Sequence, residues 1–241
     1  MLLFYVRHGD PIYNPDQLTP LGRRQAEAIG RRLARFGVDR IYSSTSIRAQ
    51  QTAQPLCEML RKEPTLLEWC HESRAYEDTW VEEPENPRRP WAIESVPIRR
   101  AFVSEEMRRL GNRWYEHPIL APYAERMKQG KERVDRATDE LLAELGYIHD
   151  REAGIYQVQN PPCERVALFA HAGFGRVFVS SVLGIPYPEF ATKVDMCHTG
   201  LTVIEFRDEG GWCIPRMLTY SSDGHLYADG LPTQYNYRER F

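Results

Sequence analysis

This sequence predicts an α/β protein built on a mostly parallel sheet, and three observations carry that expectation. Met1-Leu2-Leu3-Phe4-Tyr5-Val6 and the core-like run within Glu164–Ala170 are short apolar stretches, as expected of strands buried on both faces. Both run straight into a histidine followed by small residues, Arg7-His8-Gly9 and His171-Ala172-Gly173. Strand-like and helix-like segments alternate along the chain, which implies right-handed crossovers between parallel strands. The 241 residues suffice for one substantial core, and length alone does not demand two domains.

In chain order, Asp10-Pro11-Ile12-Tyr13-Asn14-Pro15-Asp16 is dense in turn formers and is expected to loop over the carboxyl end of the first strand. Thr19-Pro20 reads as an N-cap with proline at the first helical position. Leu21, Ala28, Ile29, Leu33 and Phe36 then share one helical face, and Gly37 stops the helix. Val38–Tyr42 is a short second strand, and Ser43-Ser44-Thr45-Ser46 caps a helix carrying Ile47, Ala49, Ala53, Leu56 and Leu60. Thr65–Trp69 reads as a third strand bearing Glu68. From Cys70 to about Pro122, prolines and charged pairs argue for loops and short helices, one of them over Arg99–Trp114. A longer helix follows over Ala124–Leu145. The last crossover runs into a helix from about Phe174 to Leu183, and Leu201–Phe206 with Trp212–Leu218 reads as an antiparallel hairpin at a sheet edge. That hairpin and the tyrosine-rich tail from Tyr220 offer contact surfaces for a homodimer.

The net charge of −3, from 31 basic and 34 acidic residues, provides no general attraction to nucleic acid or to an anionic membrane. No apolar run approaches the roughly 20 residues that span a bilayer, and the amino terminus lacks the grammar of a signal peptide, so cytoplasmic residence is expected. The five cysteines are scattered and odd in number, which argues for reduced thiols. His71, His117, His149 and His225 have no ligand-like spacing, so no metal is assigned. Gly173-Phe174-Gly175 lacks the third glycine of a dinucleotide fingerprint and falls too late in the chain, and no cofactor is expected.

The chemistry is expected where strands end, since open α/β sheets bind ligands at their carboxyl edges. Arginine offers a planar fork to phosphate or carboxylate, and a neighbouring imidazole can attack or exchange a proton, so Arg7 and His8 suggest a phosphate site. Arg48 falls in the first turn of a helix, beside free N–H groups that favour an anion.

Taken together, Arg7-His8-Gly9, Asn14, Leu18-Thr19-Pro20-Leu21-Gly22-x-x-Gln25-Ala26, Ser43-Ser44-x-x-x-Arg48-Ala49-x-Gln51-Thr52-Ala53, Leu67-Glu68 and His171-Ala172-Gly173 come in an order that resembles the histidine phosphatase superfamily, also called phosphoglycerate-mutase-like. The match runs through residues 2–68 and resumes over 164–206. The resemblance implies a three-layer α/β/α sandwich forming one domain, with a cap insertion at about 70–160. It also implies a metal-independent phosphatase acting through a phosphohistidine on a small-molecule phosphate ester. By the same resemblance His8 is the nucleophile, Arg7, Arg48 and His171 clamp the phosphoryl oxygens, and Glu68 protonates the leaving alcohol. Asn14 and the Ala172 backbone N–H add phosphate contacts. The physical logic agrees, because phosphoryl transfer asks mainly for positioning and charge neutralisation.

Two departures matter. Asp10-Pro11 replaces a Glu-Thr or Glu-Ser pair, and Trp69-Cys70-His71-Glu72 lacks the usual glycine, so Glu72 or Glu77 competes with Glu68 for the acid role. The alternatives are a phosphomutase, a metal hydrolase and a non-catalytic phosphate-binding regulator. Substrate choice is expected to lie in the insertion, with Trp80, Arg88, Arg89, Trp91, Arg99, Arg100 and Trp114 as candidates. His198 is expected to be structural more than pocket-lining.

Overall fold

The structure, a computed structural model, describes residues 1–83 and 89–236; Arg88 and the last five residues of the tail lie outside these. The first half comprises β1 (Leu2–Arg7), β2 (Pro11–Tyr13), β3 (Asp16–Leu18), α1 (Pro20–Phe36), β4 (Arg40–Ser44), α2 (Ile47–Leu60), β5 (Thr65–Leu67), α3 (Glu72–Thr79), α4 (Val96–Phe102) and α5 (Glu105–Leu110). The second comprises α6 (Ala124–Glu144), β6 (Tyr147–Asp150), β7 (Ile155–Val158), β8 (Arg165–Ala170), α7 (Ala172–Leu183), α8 (Tyr187–Ala191), β9 (Leu201–Glu205), β10 (Trp212–Cys213), β11 (Arg216–Ser222) and α9 (Gly224–Ala228).

The main sheet has the strand order β11-β9-β1-β8-β4-β5. β1, β8, β4 and β5 run parallel, and β9 and β11 add an antiparallel edge. Alternate residues of β1 enter opposite cores, as the period of two requires. Phe4 and Val6 pack with Ile29 and Leu33 of α1 and Ala53 and Leu56 of α2, while Leu3 and Tyr5 pack with Phe174 and Phe178 of α7 and Leu142 of α6. Helices therefore cover both faces in an α/β/α sandwich, which is why β1 and β8 are apolar throughout. A further cluster gathers Ile98, Phe102, Met107, Trp114, Met127 and Tyr187 from α4 to α6 and α8.

Several boundaries differ from the sequence expectation, and two of them bear on the site. The second strand ends at Ser44 instead of Tyr42, so Ser43 and Ser44 are buried strand residues and the helix cap is Ser46, whose hydroxyl accepts the Ala49 N–H at 3.3 Å. The third strand stops at Leu67, and Glu68–Cys70 forms a tight 3₁₀ turn. The helix expected over Arg99–Trp114 is broken because Ser104 caps a new helix and Gly111, at φ 56°, ends it. β9 does form an edge hairpin, but with Arg216–Ser222; Trp212–Cys213 instead pairs with β7 in a three-stranded sheet. Two paired residues are too few to show a period.

Candidate active site

The parallel register of β1 and β8 sets Arg7 opposite Ala170, so the next residues, His8 and His171, leave the sheet side by side at its carboxyl edge. Their rings lie 5.3 Å apart in an edge-on arrangement. Close backbone packing holds the turn after His8. A Cβ on Gly22 would stand 2.2 Å from the Asp10 carbonyl oxygen, and one on Gly9 would stand 2.6 Å from that of Gly22. The Thr52 hydroxyl accepts the Gly9 N–H at 3.0 Å, the Gln25 amide oxygen accepts the Asp10 N–H at 2.9 Å, and the Gln51 amide oxygen accepts the Leu18 N–H at 2.7 Å. Much of the sequence motif is thus scaffolding for two residues.

His8 Nδ1 lies 2.8 Å from the Gly9 carbonyl oxygen. That oxygen can only accept, so Nδ1 carries the proton and Nε2 keeps its lone pair. Burial, reinforced by Arg7, His171 and Arg48, holds the His8 pKa well below the usual imidazole range, so the ring is neutral at pH 7. His171 is oriented in the same way. The Arg48 guanidinium can only donate, and it sits 3.2 Å from Nδ1, leaving Nε2–H to donate to the Ser44 hydroxyl at 2.8 Å. Burial first, then Arg48, His71 and Arg7, keeps this ring neutral too. Tyr5 fixes the backbone: its hydroxyl donates to the His171 carbonyl at 2.6 Å and accepts the His171 N–H at 3.2 Å.

Arg7, His8, His171 and Arg48 are 1%, 3%, 0% and 8% exposed, so two cationic forks and two imidazoles share one desolvated locus. Arg7 donates to the Met196 carbonyl and to the Asn236 side-chain oxygen. Arg48 donates to Asp16 at 2.8 Å, and the other Asp16 oxygen accepts the Ile47 N–H at the start of α2 at 2.8 Å. Ala172 opens α7, where a first-turn N–H has no partner within the helix.

The acids divide differently from the sequence expectation. Glu68 turns outward with its side chain 62% exposed and binds Arg74 at 2.5 Å, making no contact with the cluster. Four residues on, the Glu72 carboxylate accepts the Gly173 N–H at 3.0 Å and the Phe174 N–H at 2.9 Å. Its carboxyl is buried although the residue is partly exposed, and burial raises its pKa against the opposing pull of those amides, Arg48 and Arg7. Glu77 forms no hydrogen bond or ion pair with the described residues of the cluster. Asn14 is exposed at the β2–β3 turn, and its hairpin neighbours Tyr13 and Asp16 are the ones that touch Arg48.

His198 stacks on the His8 ring at 6.1 Å, and burial and Arg7 push its pKa down to about 3. His71, to which the sequence assigned no role, lies 5.9 Å from the His171 ring. Tyr5, Asp16, His71 and Asn236 were missed from the sequence; only the alternating pattern of β1 contained a hint, for Tyr5.

Parallel strands delivering a neutral histidine into a pair of buried arginines define a phosphate-handling α/β enzyme. Residues 3–217 match the model of the histidine phosphatase superfamily, branch 1, and the chain belongs to that family. Among solved structures it is similar to phosphoserine phosphatase from Entamoeba histolytica in complex with 3-phosphoglyceric acid, at 20% identity and TM-score 0.56, over 93% of this chain and 98% of that one. It is also similar to a mycobacterial glucosyl-3-phosphoglycerate phosphatase in complex with VO3, at 18% identity and TM-score 0.58, over 92% and 99%. No curated protein matches the sequence.

Proposed function

We propose that this chain is a metal-independent phosphatase for a small phosphate monoester, working through a phosphohistidine on His8. The observation that carries the reading is the His8 tautomer: Gly9 holds the proton on Nδ1, and the free Nε2 pair sits beside Arg7, Arg48 and His171. In the first step Nε2 attacks phosphorus and the ester P–O bond breaks. The two guanidinium groups and the Ala172 N–H take the charge of the equatorial oxygens, while His171 Nδ1 accepts from Arg48 and orients that guanidinium. Glu72, in place of Glu68, gives the leaving alkoxide its proton; its burial favours the protonated form an acid needs. In the second step the Glu72 carboxylate takes a proton from water, the hydroxide attacks phosphorus, and the P–N bond breaks to release phosphate and restore His8.

Segment 70–160 we read as the cap that selects the alcohol. Cytoplasmic residence is supported by five buried free cysteines, and no helix among the described residues is long and apolar enough to cross a membrane. The test is release of phosphate from an aryl phosphate with chelator present, by the parent and by His8→Ala. Turnover by the parent alone, with a base-stable, acid-labile label trapped on the protein, is expected; equal turnover by both would overturn the assignment of His8.

A further inference from the structure

A second concave surface lies on the face of the sheet that α1 covers, where α9 packs Leu226 against Ala28. The cleft between the two helices holds about 390 Å³ and is lined by Arg31, Arg32, Arg35, Phe36, His225 and Asp229 among others. Arg35 neighbours both Arg31 and Arg32 on the helix surface, so three guanidinium groups border one space and repel one another. Among the described residues the one carboxylate on its wall is Asp229, and Arg31 engages it. Arg32 and Arg35 have no carboxylate of a described residue within ion-pair distance, and burial lowers the Arg32 pKa against the weaker pull of Asp223.

Arg32 also ends a chain of hydrogen bonds that leads to His8. Its Nη1 donates to the Ser222 hydroxyl at 3.1 Å and lies 3.4 Å from His225 Nδ1. A guanidinium can only donate, so Nδ1 accepts and Nε2–H donates to the Thr199 hydroxyl at 2.9 Å. That hydroxyl donates to the His198 carbonyl at 2.7 Å, and the Thr199 N–H donates to the His8 carbonyl at 3.2 Å. Thr199 is fully buried with φ at 55°, a left-handed conformation that a threonine keeps only where its partners hold it.

We propose that this cleft is a regulatory site for a phosphate-bearing ligand, separate from the cluster of Arg7, Arg48 and His171. Arg32 and Arg35 take the phosphate oxygens, which a planar guanidinium fork matches, and the exposed Phe36 ring beside them offers a face to an organic remainder. A phosphate that draws the Arg32 fork outwards removes the donor from His225 Nδ1. The imidazole, Thr199 and the His8 backbone are then held less firmly, so occupancy lowers turnover. The effect on turnover rests on the phosphatase reading above, whereas the binding does not.

The test uses the full chain, with ADP and pyrophosphate as probes, at physiological ionic strength, where non-specific attraction between exposed charges is largely screened. Calorimetry is expected to find a site that Arg35→Gln and Arg32→Gln each weaken about tenfold or more, the scale of one charge-assisted bond. Arg109→Gln, altering a surface pair with Glu105, leaves that site in place. Arg35 is exposed, so its variant keeps the test open even if the Arg32 variant does not fold. Tighter binding of ADP, with the advantage lost in Phe36→Leu, identifies an organic phosphate as the ligand, and equal affinity identifies an inorganic one. Filling the site should lower kcat for propyl phosphate at saturating substrate by about fivefold or more, the low end of an allosteric coupling, and Arg35→Gln should abolish that fall. Binding indifferent to both arginine variants, or an unchanged kcat with the site filled, would overturn the proposal. A parent that turns over no ester would instead sink the phosphatase reading. The coupling is then read as a change of about fivefold in the Kd of orthovanadate at Arg7 and Arg48, and no such change would overturn it.

Discussion

Replacing Glu72 by glutamine separates its structural work from its chemical work. In the native chain its two oxygens accept the Gly173 and Phe174 N–H groups at the start of α7, at 3.0 and 2.9 Å. Glutamine keeps one acceptor and turns an NH₂ towards the second amide, so one charge-assisted bond of about 1.5–3 kcal/mol is lost. Removing the negative charge from a helix N-terminus costs about 0.3–1 kcal/mol more. Relief of the burial penalty that raises the Glu72 pKa works in the other direction, and the net loss of stability is expected near 1–3 kcal/mol in chemical denaturation. Catalysis should respond with a different signature. If Glu72 protonates the leaving group, phenyl phosphate, whose alcohol leaves poorly, loses about 10²–10⁴ in kcat, whereas a dinitrophenyl ester loses little. Glu68→Gln removes only an exposed pair with Arg74, worth about 0–1 kcal/mol, and should leave the leaving-group dependence unchanged. A steep dependence appearing in Glu68→Gln and absent from Glu72→Gln would refute this assignment and return the acid role to the residue expected from sequence.

Three other outcomes are expected. Stability should fall on acidification, because the folded pKa values of His8 and His171 are well below the usual range and those of His198 and His225 are about 3 and about 4. Each contributes stability that is present above pH 6.5 and lost as pH falls, roughly 2 kcal/mol apiece between pH 7 and pH 5 for His198 and His225, while the raised Glu72 offsets part of this; a denaturation midpoint that does not drop across that window would contradict it. Gly22→Ala sets a methyl 2.2 Å from the Asp10 carbonyl oxygen, so the backbone beside His8 must shift, at a cost of about 1–3 kcal/mol, and activity should fall more than stability, as unfolding curves and kcat/KM measured together would show. Tyr5→Phe leaves the buried His171 N–H without its acceptor, whereas the His171 carbonyl keeps the Gly175 N–H; the expected loss is about 1–3 kcal/mol by denaturation.

How much of this was legible depended on the range of the interaction concerned. The unbroken apolar runs of β1 and β8, the cap at Thr19 and the stop at Gly37 are patterns within a few residues, and they placed the parallel sheet and the helices around it. Strands that end in Arg-His-Gly and His-Ala-Gly put their histidines at the carboxyl edge whatever else the chain does, so Arg7, His8 and His171 were readable, as was Arg48 in the first turn of its helix. The placing of the acids was not. It turns on three residues, because Glu68–Cys70 winds into a 3₁₀ turn that rotates Glu68 towards Arg74 and solvent and starts α3 with Glu72 facing α7. Nor could local pattern show that Tyr5 fixes His171, that Asp16 engages Arg48, or that Asn236 reaches Arg7 from 229 residues away. By itself the sequence determined the layers and the meeting of Arg7, His8, Arg48 and His171, since periodicity and strand ends are local properties of the backbone. Tertiary structure alone decided which acid packs against that cluster and which side chains support it, because burial, and with it the strength of every charge, depends on what the rest of the chain packs against that point.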